Sequence, residues 1–308
     1  MIPTTLLTLP EPLNERMRSL IEDGAPYRSI AAVHREPRRP SCAAWFRNFW
    51  ALGGQERLPG ADAVFRSPAL LELVREASGA TIIEPLAMMT NLNPPAPAAP
   101  VHLDLPFYRG AHRREVPSWL LAPMGYSGLF ERWSIPVVSA LIWFYRGEGG
   151  AFEYWPHGLG GPSQQITDTG GGRALIAENE TLFHRVAQIG RPERFLPGNQ
   201  VPYDALLERR TDGWSITDDG RHLADYGDDE VRISVLWKAY VFANAREAAL
   251  AAGDDDKLSP QQIVSIFQAD LLRRGHVIDP PASLAGDDLW AETIRQTYAA
   301  PSAPTAGS

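Results

Sequence analysis

The stretch Val101-His102-Leu103-Asp104 places a histidine and an aspartate two positions apart. In a β-strand, successive side chains leave opposite faces, so His102 and Asp104, two positions apart, would point the same way, about 7 Å apart. A third ligand from a distant strand would complete a metal site. Two histidines and one carboxylate, with open positions opposite them, suit non-heme Fe(II) and O2 chemistry. The stretch therefore predicts a metal site built into a sheet.

The same short pattern can arise by chance in a chain with seven histidines. His34-Arg35-Glu36 is a second match, but it lies among proline and arginine residues outside the strand-rich region. His102 and Asp104 follow a proline-rich loop, residues 93–100, and stand at the entry to that region. This context favours residues 102 and 104 as the metal ligands.

The chain as a whole sets limits on its class. It has 308 residues, 44% of them hydrophobic, and a formal net charge of -8. An acidic chain is not expected to bind nucleic acid generally, because that needs a basic surface. A single cysteine, Cys42, allows no internal disulfide and favours a reducing compartment. With no signal peptide and no apolar run of membrane length, we expect a cytoplasmic protein without a membrane partner.

Apolar spacing predicts helices on both sides of a strand-rich middle. Helices are expected at residues 12–23, 67–78 and 259–274, the last with a capping box at Ser259 and Gln262. Strands are expected at residues 81–93, 101–104, 135–145, 151–155, 173–177, 181–189 and 231–242. A glycine turn joins the third and fourth of these strands, which predicts a hairpin.

These elements predict a mainly β protein with flanking α-helices and a jelly-roll core. We expect one domain over residues 1–308. Its parts are a helical N-terminal part (1–80), the core (81–242) with an insertion (190–230), C-terminal helices (243–298) and a disordered tail (299–308).

The third metal ligand must come from another strand. The histidines available for this are His112, His157, His184 and His222. Only His184 lies in a well-formed strand sequence, residues 182–186. An isolated histidine is usually just a buried imidazole, but its combination with His102 and Asp104 favours the role of ligand.

An oxo-acid co-substrate would need a cation for its far carboxylate, and the planar fork of arginine binds carboxylates bidentately. Arg232 and Ser234 share one face of the last core strand. That strand could instead be a surface strand with a solvated arginine. Against this, the same face carries the apolar or aromatic residues Leu236, Tyr240 and Phe242. Arg191 and Arg194 are rivals in a loop closer to His184.

The set His102-x-Asp104, His184 and Arg232-x-Ser234 resembles the Fe(II)- and 2-oxoglutarate-dependent dioxygenase superfamily over residues 81–242. The resemblance implies a double-stranded β-helix, a cupin-like form of the jelly-roll. It implies that the two histidines and the aspartate hold Fe(II). It also implies that 2-oxoglutarate chelates the iron and pairs with Arg232, helped by Ser234.

The resemblance further implies an enzyme, a single catalytic domain. With O2 and 2-oxoglutarate it would hydroxylate, desaturate or cyclise an unactivated C–H of a small organic substrate, with succinate and CO2 as co-products. In this family the arginine commonly follows the distal histidine closely, as Arg194 does and Arg232 does not. Both therefore stay open as the anchor, and Asn91 is a further expected contact of the oxo acid.

The segment 105–134 and the insertion 190–230 are expected to be lids, and Tyr108, Arg109 and Arg113 in the first are expected to meet an acidic group of the substrate. They could equally be structural. Two other functions also fit a jelly-roll: a binding module without metal chemistry, and a cupin-type metal dioxygenase that uses no oxo acid. A zinc hydrolase fits less well, because no general base lies near the three ligands.

Overall fold

The computed structural model describes residues 2–111, 116–253, 256–286 and 288–300. Within them the α-helices are α1 (Glu11–Asp23), α2 (Ile30–Val33), α3 (Asp62–Phe65), α4 (Pro68–Ser78), α5 (Ser118–Ser127), α6 (Ala245–Ala252), α7 (Pro260–Arg273) and α8 (Leu289–Thr297). The strands are β1 (Thr5–Thr8), β2 (Tyr27–Ser29), β3 (Ser41–Ala43), β4 (Phe46–Leu52), β5 (Gln55–Glu56), β6 (Ile82–Asn93), β7 (Val137–Trp143), β8 (Phe152–Trp155), β9 (Gln164–Ile166), β10 (Arg173–Ala177), β11 (Phe183–Val186), β12 (Gln200–Pro202), β13 (Leu206–Arg210), β14 (Gly213–Asp218), β15 (Arg221–Tyr226) and β16 (Arg232–Phe242). The tail expected at 299–308 lies almost wholly outside the described residues.

The strands form one large and two small antiparallel sheets. The large sheet has the order β1-β10-β7-β16-β6-β4-β2-β13-β14-β15, with β5 paired to β4. The first small sheet has the order β11-β8-β9, and the second pairs β12 with β3. The chain passes from the large sheet (β7) to the first small sheet (β8, β9), returns to the large sheet (β10) and enters the small sheet again (β11). After the insertion, β16 returns to the centre of the large sheet. This alternation is the jelly-roll topology, so the predicted fold class is confirmed.

A buried apolar cluster lies between the large sheet and the first small sheet. Its members are Leu141, Trp143, Phe152, Tyr154, Ile166, Leu175, Ala177 and Leu182. Because successive side chains of a strand leave opposite faces, the even-numbered residues of β16 share this inner face with the odd-numbered residues of β7, their register partners. The inner face therefore carries Arg232, Ser234, Leu236 and Lys238.

The predicted hairpin of β7 and β8 is wrong, because the two strands belong to different sheets. Gly149 and Gly150, which join them, have φ of +73° and +67°, in the left-handed region that glycine adopts without strain. A Cβ at Gly149 would also lie 2.2 Å from the Gln188 carbonyl oxygen. The turn therefore directs the chain across the sandwich rather than back along β7.

The opposite face of the large sheet is covered by α1, α3 and α4. Leu13, Met17 and Leu20 recur at helical spacing along α1 and are buried there. The N-terminal part is less purely helical than expected, because β1 to β5 also lie in it. β1 joins the large sheet beside β10, and β2 and β4 extend it beyond β6.

A second apolar cluster combines α5 and the residues around it with α7 and α8. The predicted capping box of α7 forms between Ser259 and Gln262. The insertion at 190–230 contains β12 to β15 and extends the edge of the large sheet through β2. Among the described residues, no helix combines the length and apolar character needed to cross a bilayer.

Candidate metal centre and co-substrate site

The segment that carries His102 and Asp104 runs beside β11 without forming a regular strand. The backbone N–H of His102 donates to the carbonyl of His184 and the reverse bond also forms, both at 3.0 Å. The Asp104 N–H donates to the Asn179 carbonyl at 2.9 Å. Prolines in residues 94–100 lack N–H groups, which explains why the ladder is incomplete. The side chains of His102 and Asp104 still reach the same side of the segment, as expected for residues two positions apart in a strand.

The structure brings His102, Asp104 and His184 together. One side-chain nitrogen or oxygen from each lies within 4.8 Å of the other two. His184 Nε2 is 3.8 Å from Asp104 Oδ1, and the two imidazole centroids are 4.5 Å apart. Two nitrogens and one carboxylate oxygen at this spacing can coordinate one divalent metal ion.

Backbone carbonyls orient both imidazoles. Nδ1 of His102 is 3.0 Å from the Pro100 carbonyl oxygen, and Nδ1 of His184 is 2.7 Å from that of Leu182. A carbonyl oxygen only accepts hydrogen bonds, so each Nδ1 carries the hydrogen and each Nε2 keeps its lone pair. Metal-binding histidines are commonly fixed in this way.

The charge states also suit a metal. Burial lowers the pKa of His184 to about 4, although the Asp104 carboxylate opposes this shift. The imidazole is therefore neutral at pH 7, as a metal ligand must be. Burial alone would raise the pKa of the Asp104 carboxyl, but the Lys238 ammonium and then His184 outweigh it and lower that pKa. Asp104 is therefore a carboxylate.

Lys238 and Glu180 stand behind Asp104, and sequence reasoning missed both. Lys238 Nζ donates to Asp104 Oδ2 and to Glu180 Oε1, at 2.6 Å in each case. Burial would lower the pKa of Lys238, but the two carboxylates outweigh it and raise that pKa. Burial raises the pKa of the Glu180 carboxyl. The sequence feature that could have indicated Lys238 is a lysine in an otherwise apolar part of β16, on the same face as Arg232.

Arg232 is buried, with 2% of its surface exposed. Its Nε donates to the Gly150 carbonyl oxygen at 2.7 Å, so the side chain bridges the large sheet and the start of β8. Its Nη2 is buried and has no hydrogen-bond partner among the described residues. Burial lowers the pKa of Arg232 to about 10, which leaves the guanidinium charged at neutral pH. A buried cation with an unused donor fits an anionic ligand.

The rival arginines are bonded to surface carboxylates. Arg194 contacts Glu230 at 2.5 and 2.9 Å, with 46% of its side chain exposed. Arg191 contacts Glu148 at 2.7 Å, with 72% exposed. Their positions favour Arg232 as the carboxylate anchor.

Ser234 and Asn91 are register partners on β16 and β6, on the face of Arg232. Both are buried. Asn91 Oδ1 accepts hydrogen bonds from Trp45 Nε1 at 3.1 Å and Arg47 Nε at 2.7 Å. These bonds fix the amide in place beside Ser234.

Two aromatic rings lie between the metal-ligand candidates and the row formed by Arg232, Ser234 and Asn91. The Phe152 centroid is 5.3 Å from that of His184 and 5.6 Å from that of Trp143. Trp143 is the register partner of Ser234 on β7. The interior between the ligands and the Arg232 row is therefore walled by apolar rings.

The residues expected to meet the substrate lie elsewhere. Tyr108 is buried in the second apolar cluster, 6.1 Å from the ring of Phe130. Arg109 is also buried, and its Nη2 donates to the Arg132 carbonyl at 2.8 Å and to Asp256 at 3.3 Å. These contacts favour structural roles, because both side chains are already held by the protein. Arg113 lies outside the described residues.

No protein-family model and no curated protein matches the sequence. Among solved structures, the chain is similar to a 2OG-Fe(II) oxygenase family oxidoreductase from Burkholderia pseudomallei, with 11% identity and a TM-score of 0.42, covering 79% of this chain and 87% of that one. It is similar to a prolyl hydroxylase from Trichoplax adhaerens in complex with a hypoxia inducible factor peptide fragment, with 13% identity and a TM-score of 0.42, covering 80% of this chain and 86% of that one. It is also similar to HygX from Streptomyces hygroscopicus with nickel, 2-oxoglutarate and hygromycin B bound, with 12% identity and a TM-score of 0.40, covering 78% of this chain and 83% of that one.

Proposed function

We propose that this protein is a non-heme Fe(II)- and 2-oxoglutarate-dependent oxygenase, with His102, Asp104 and His184 as the iron ligands. The observation that carries the proposal is Arg232, a buried cation with an unused donor on the same sheet face as Lys238, which contacts Asp104. When bound, iron with 2-oxoglutarate and O2 would supply the oxidising power to hydroxylate, desaturate or cyclise an unactivated C–H, releasing succinate and CO2.

The chain's residues would divide the work of holding these groups. His102 and His184 offer Nε2 lone pairs that their backbone bonds have already oriented. Asp104 offers Oδ1, since Oδ2 is bonded to Lys238. Three protein ligands would leave positions on the metal open for a chelating oxo acid and O2.

Arg232 would pair with the far carboxylate of 2-oxoglutarate through its unused Nη2, with the Ser234 hydroxyl as a second donor. Asn91 lies in the same row and is proposed as a further contact. The rings of Trp143 and Phe152 would keep water away from the co-substrate. The proposed substrate is a small organic molecule.

The test is an anaerobic titration of the purified protein with Fe(II) and 2-oxoglutarate. A visible metal-to-ligand charge-transfer band is expected, followed by succinate formation when O2 is admitted. His102→Ala should abolish both, whereas His222→Ala should not, because His222 is an exposed side chain paired with Asp225. Iron binding without 2-oxoglutarate binding would indicate a cupin-type dioxygenase. Binding of neither would indicate a jelly-roll binding module.

A further inference from the structure

The chain uses lysine sparingly. Of its 29 lysine and arginine residues, only Lys238 and Lys257 are lysines. Lys238 is buried between the sheets, with 9% of its side chain exposed. Lysine differs from arginine in being a compact point charge with three donors, which fits a narrow space between two anions.

Lys238 lies between two carboxylates, that of the proposed metal ligand Asp104 and that of Glu180. Its Nζ lies 2.6 Å from Asp104 Oδ2 on one side and 2.6 Å from Glu180 Oε1 on the other. Glu180 Oε2 is buried and has no hydrogen-bond partner among the described residues. Glu180 is therefore a nearby carboxylate with an oxygen to offer, although it lies outside the cluster of three ligands.

A second carboxylate would change the chemistry of the centre. If Glu180 reached the metal, or if Asp104 turned both oxygens to it, fewer positions would be left for an oxo acid and O2. The added negative charge would also disfavour a dianionic co-substrate. The ammonium group opposes both changes, because it holds one oxygen of each carboxylate.

We propose that Lys238 is a positioning residue that keeps Glu180 out of the metal's ligand set and limits Asp104 to one ligating oxygen. The positions needed by 2-oxoglutarate thereby stay open. This inference rests on the proposed function, because it concerns the same metal centre.

The experiment compares Lys238→Met with the double variant Lys238→Met/Glu180→Gln, using Co(II) as a spectroscopic substitute for iron. Methionine keeps the length of the side chain and removes the charge. Lys238→Met should bind Co(II) at least as tightly as the wild type, with visible d–d bands altered by the extra carboxylate. Its affinity for 2-oxoglutarate should fall at least about tenfold. The double variant should recover part of both properties, with an affinity at least about threefold above that of Lys238→Met, because it removes the second carboxylate while Asp104 stays released.

Lys257→Met is the matched control, because it makes the same substitution at the only other lysine, between α6 and α7. It should leave the Co(II) bands and 2-oxoglutarate affinity unchanged. If Lys238→Met binds 2-oxoglutarate like the wild type, or if the double variant is as defective as Lys238→Met, the inference is overturned.

Folding is checked by thermal unfolding, because an unpaired buried carboxylate destabilises a protein. The double variant removes Glu180's charge and so keeps the test available if Lys238→Met does not fold. Its binding of 2-oxoglutarate then supports the inference, and loss of that binding overturns it. A wild-type protein that binds neither Co(II) nor Fe(II) would instead overturn the proposed function, and the inference with it.

Discussion

Replacing Arg232 with methionine separates binding from stability. The variant keeps an unbranched side chain in the same place but removes the guanidinium that we assign to the far carboxylate of 2-oxoglutarate. Removing one partner of a buried, hydrogen-bonded charge pair costs roughly 2–5 kcal/mol. Ser234 remains as a donor, so we expect the lower part of that range. Since about 1.4 kcal/mol is a tenfold change in affinity, the Kd for 2-oxoglutarate should rise on the order of a hundredfold.

The effect on the protein without ligand should be small. Arg232 Nε gives one hydrogen bond, to the Gly150 carbonyl, whose loss costs about 1 kcal/mol. The variant also removes a buried charge whose Nη2 has no partner among the described residues, which offsets that loss. The free energy of unfolding should therefore change by no more than about 1 kcal/mol.

Two measurements check this. Anaerobic calorimetry with Fe(II) gives the Kd for 2-oxoglutarate, and thermal unfolding with and without 2-oxoglutarate gives the stabilisation that binding supplies. Arg194→Met is the control, since Arg194 is an exposed partner of Glu230. If Arg232→Met lost several kcal/mol of stability yet bound 2-oxoglutarate normally, or if Arg194→Met lost the binding, the assignment of Arg232 would be refuted.

Two further predictions concern the C-terminal helices. Asp270 is a buried carboxylate that accepts hydrogen bonds from Tyr298 and Arg274. Burial would raise the pKa of this carboxyl, but the two hydrogen-bond donors outweigh burial and lower that pKa from its usual value. The stability that Asp270 supplies should be present at pH 7 and lost as the pH falls through the lowered pKa. Urea unfolding should thus show Asp270→Asn clearly destabilised at pH 7, with the difference shrinking below about pH 4; a constant difference would contradict this. Ser259→Ala removes the N-cap bond to the Gln262 N–H and should cost about 1 kcal/mol in the same assay, whereas no change would show that the capping box of α7 contributes nothing.

Sequence patterns were sufficient where the information is local or strictly periodic. The long apolar runs of β6 and β16 and the capping box of α7 were predicted closely, because propensity, burial and end signals agree there. His184 was singled out by its strand context, and the structure places it beside His102 and Asp104.

Sequence reasoning failed where the partner of a segment is distant. β7 and β8 are near neighbours in sequence but do not pair with each other. β7 pairs with β10 and β16, and β8 pairs with β9 and β11. Lys238 was overlooked for the same reason. Its two carboxylate partners are distant in sequence. They come close to Lys238 because the segment of His102 pairs with that of His184 and Glu180 lies nearby.

The position of β16 in the large sheet bears on how the site is assembled. It is the last strand among the described residues and yet lies between β6 and β7, pairing with both along its length. During synthesis the sheet therefore cannot close until residue 242 has left the ribosome, and β6 and β7 must remain apart until then. Pairings across such long stretches of chain are slow to form. Since β16 also carries Arg232 and Lys238, co-substrate binding would report that the large sheet has closed.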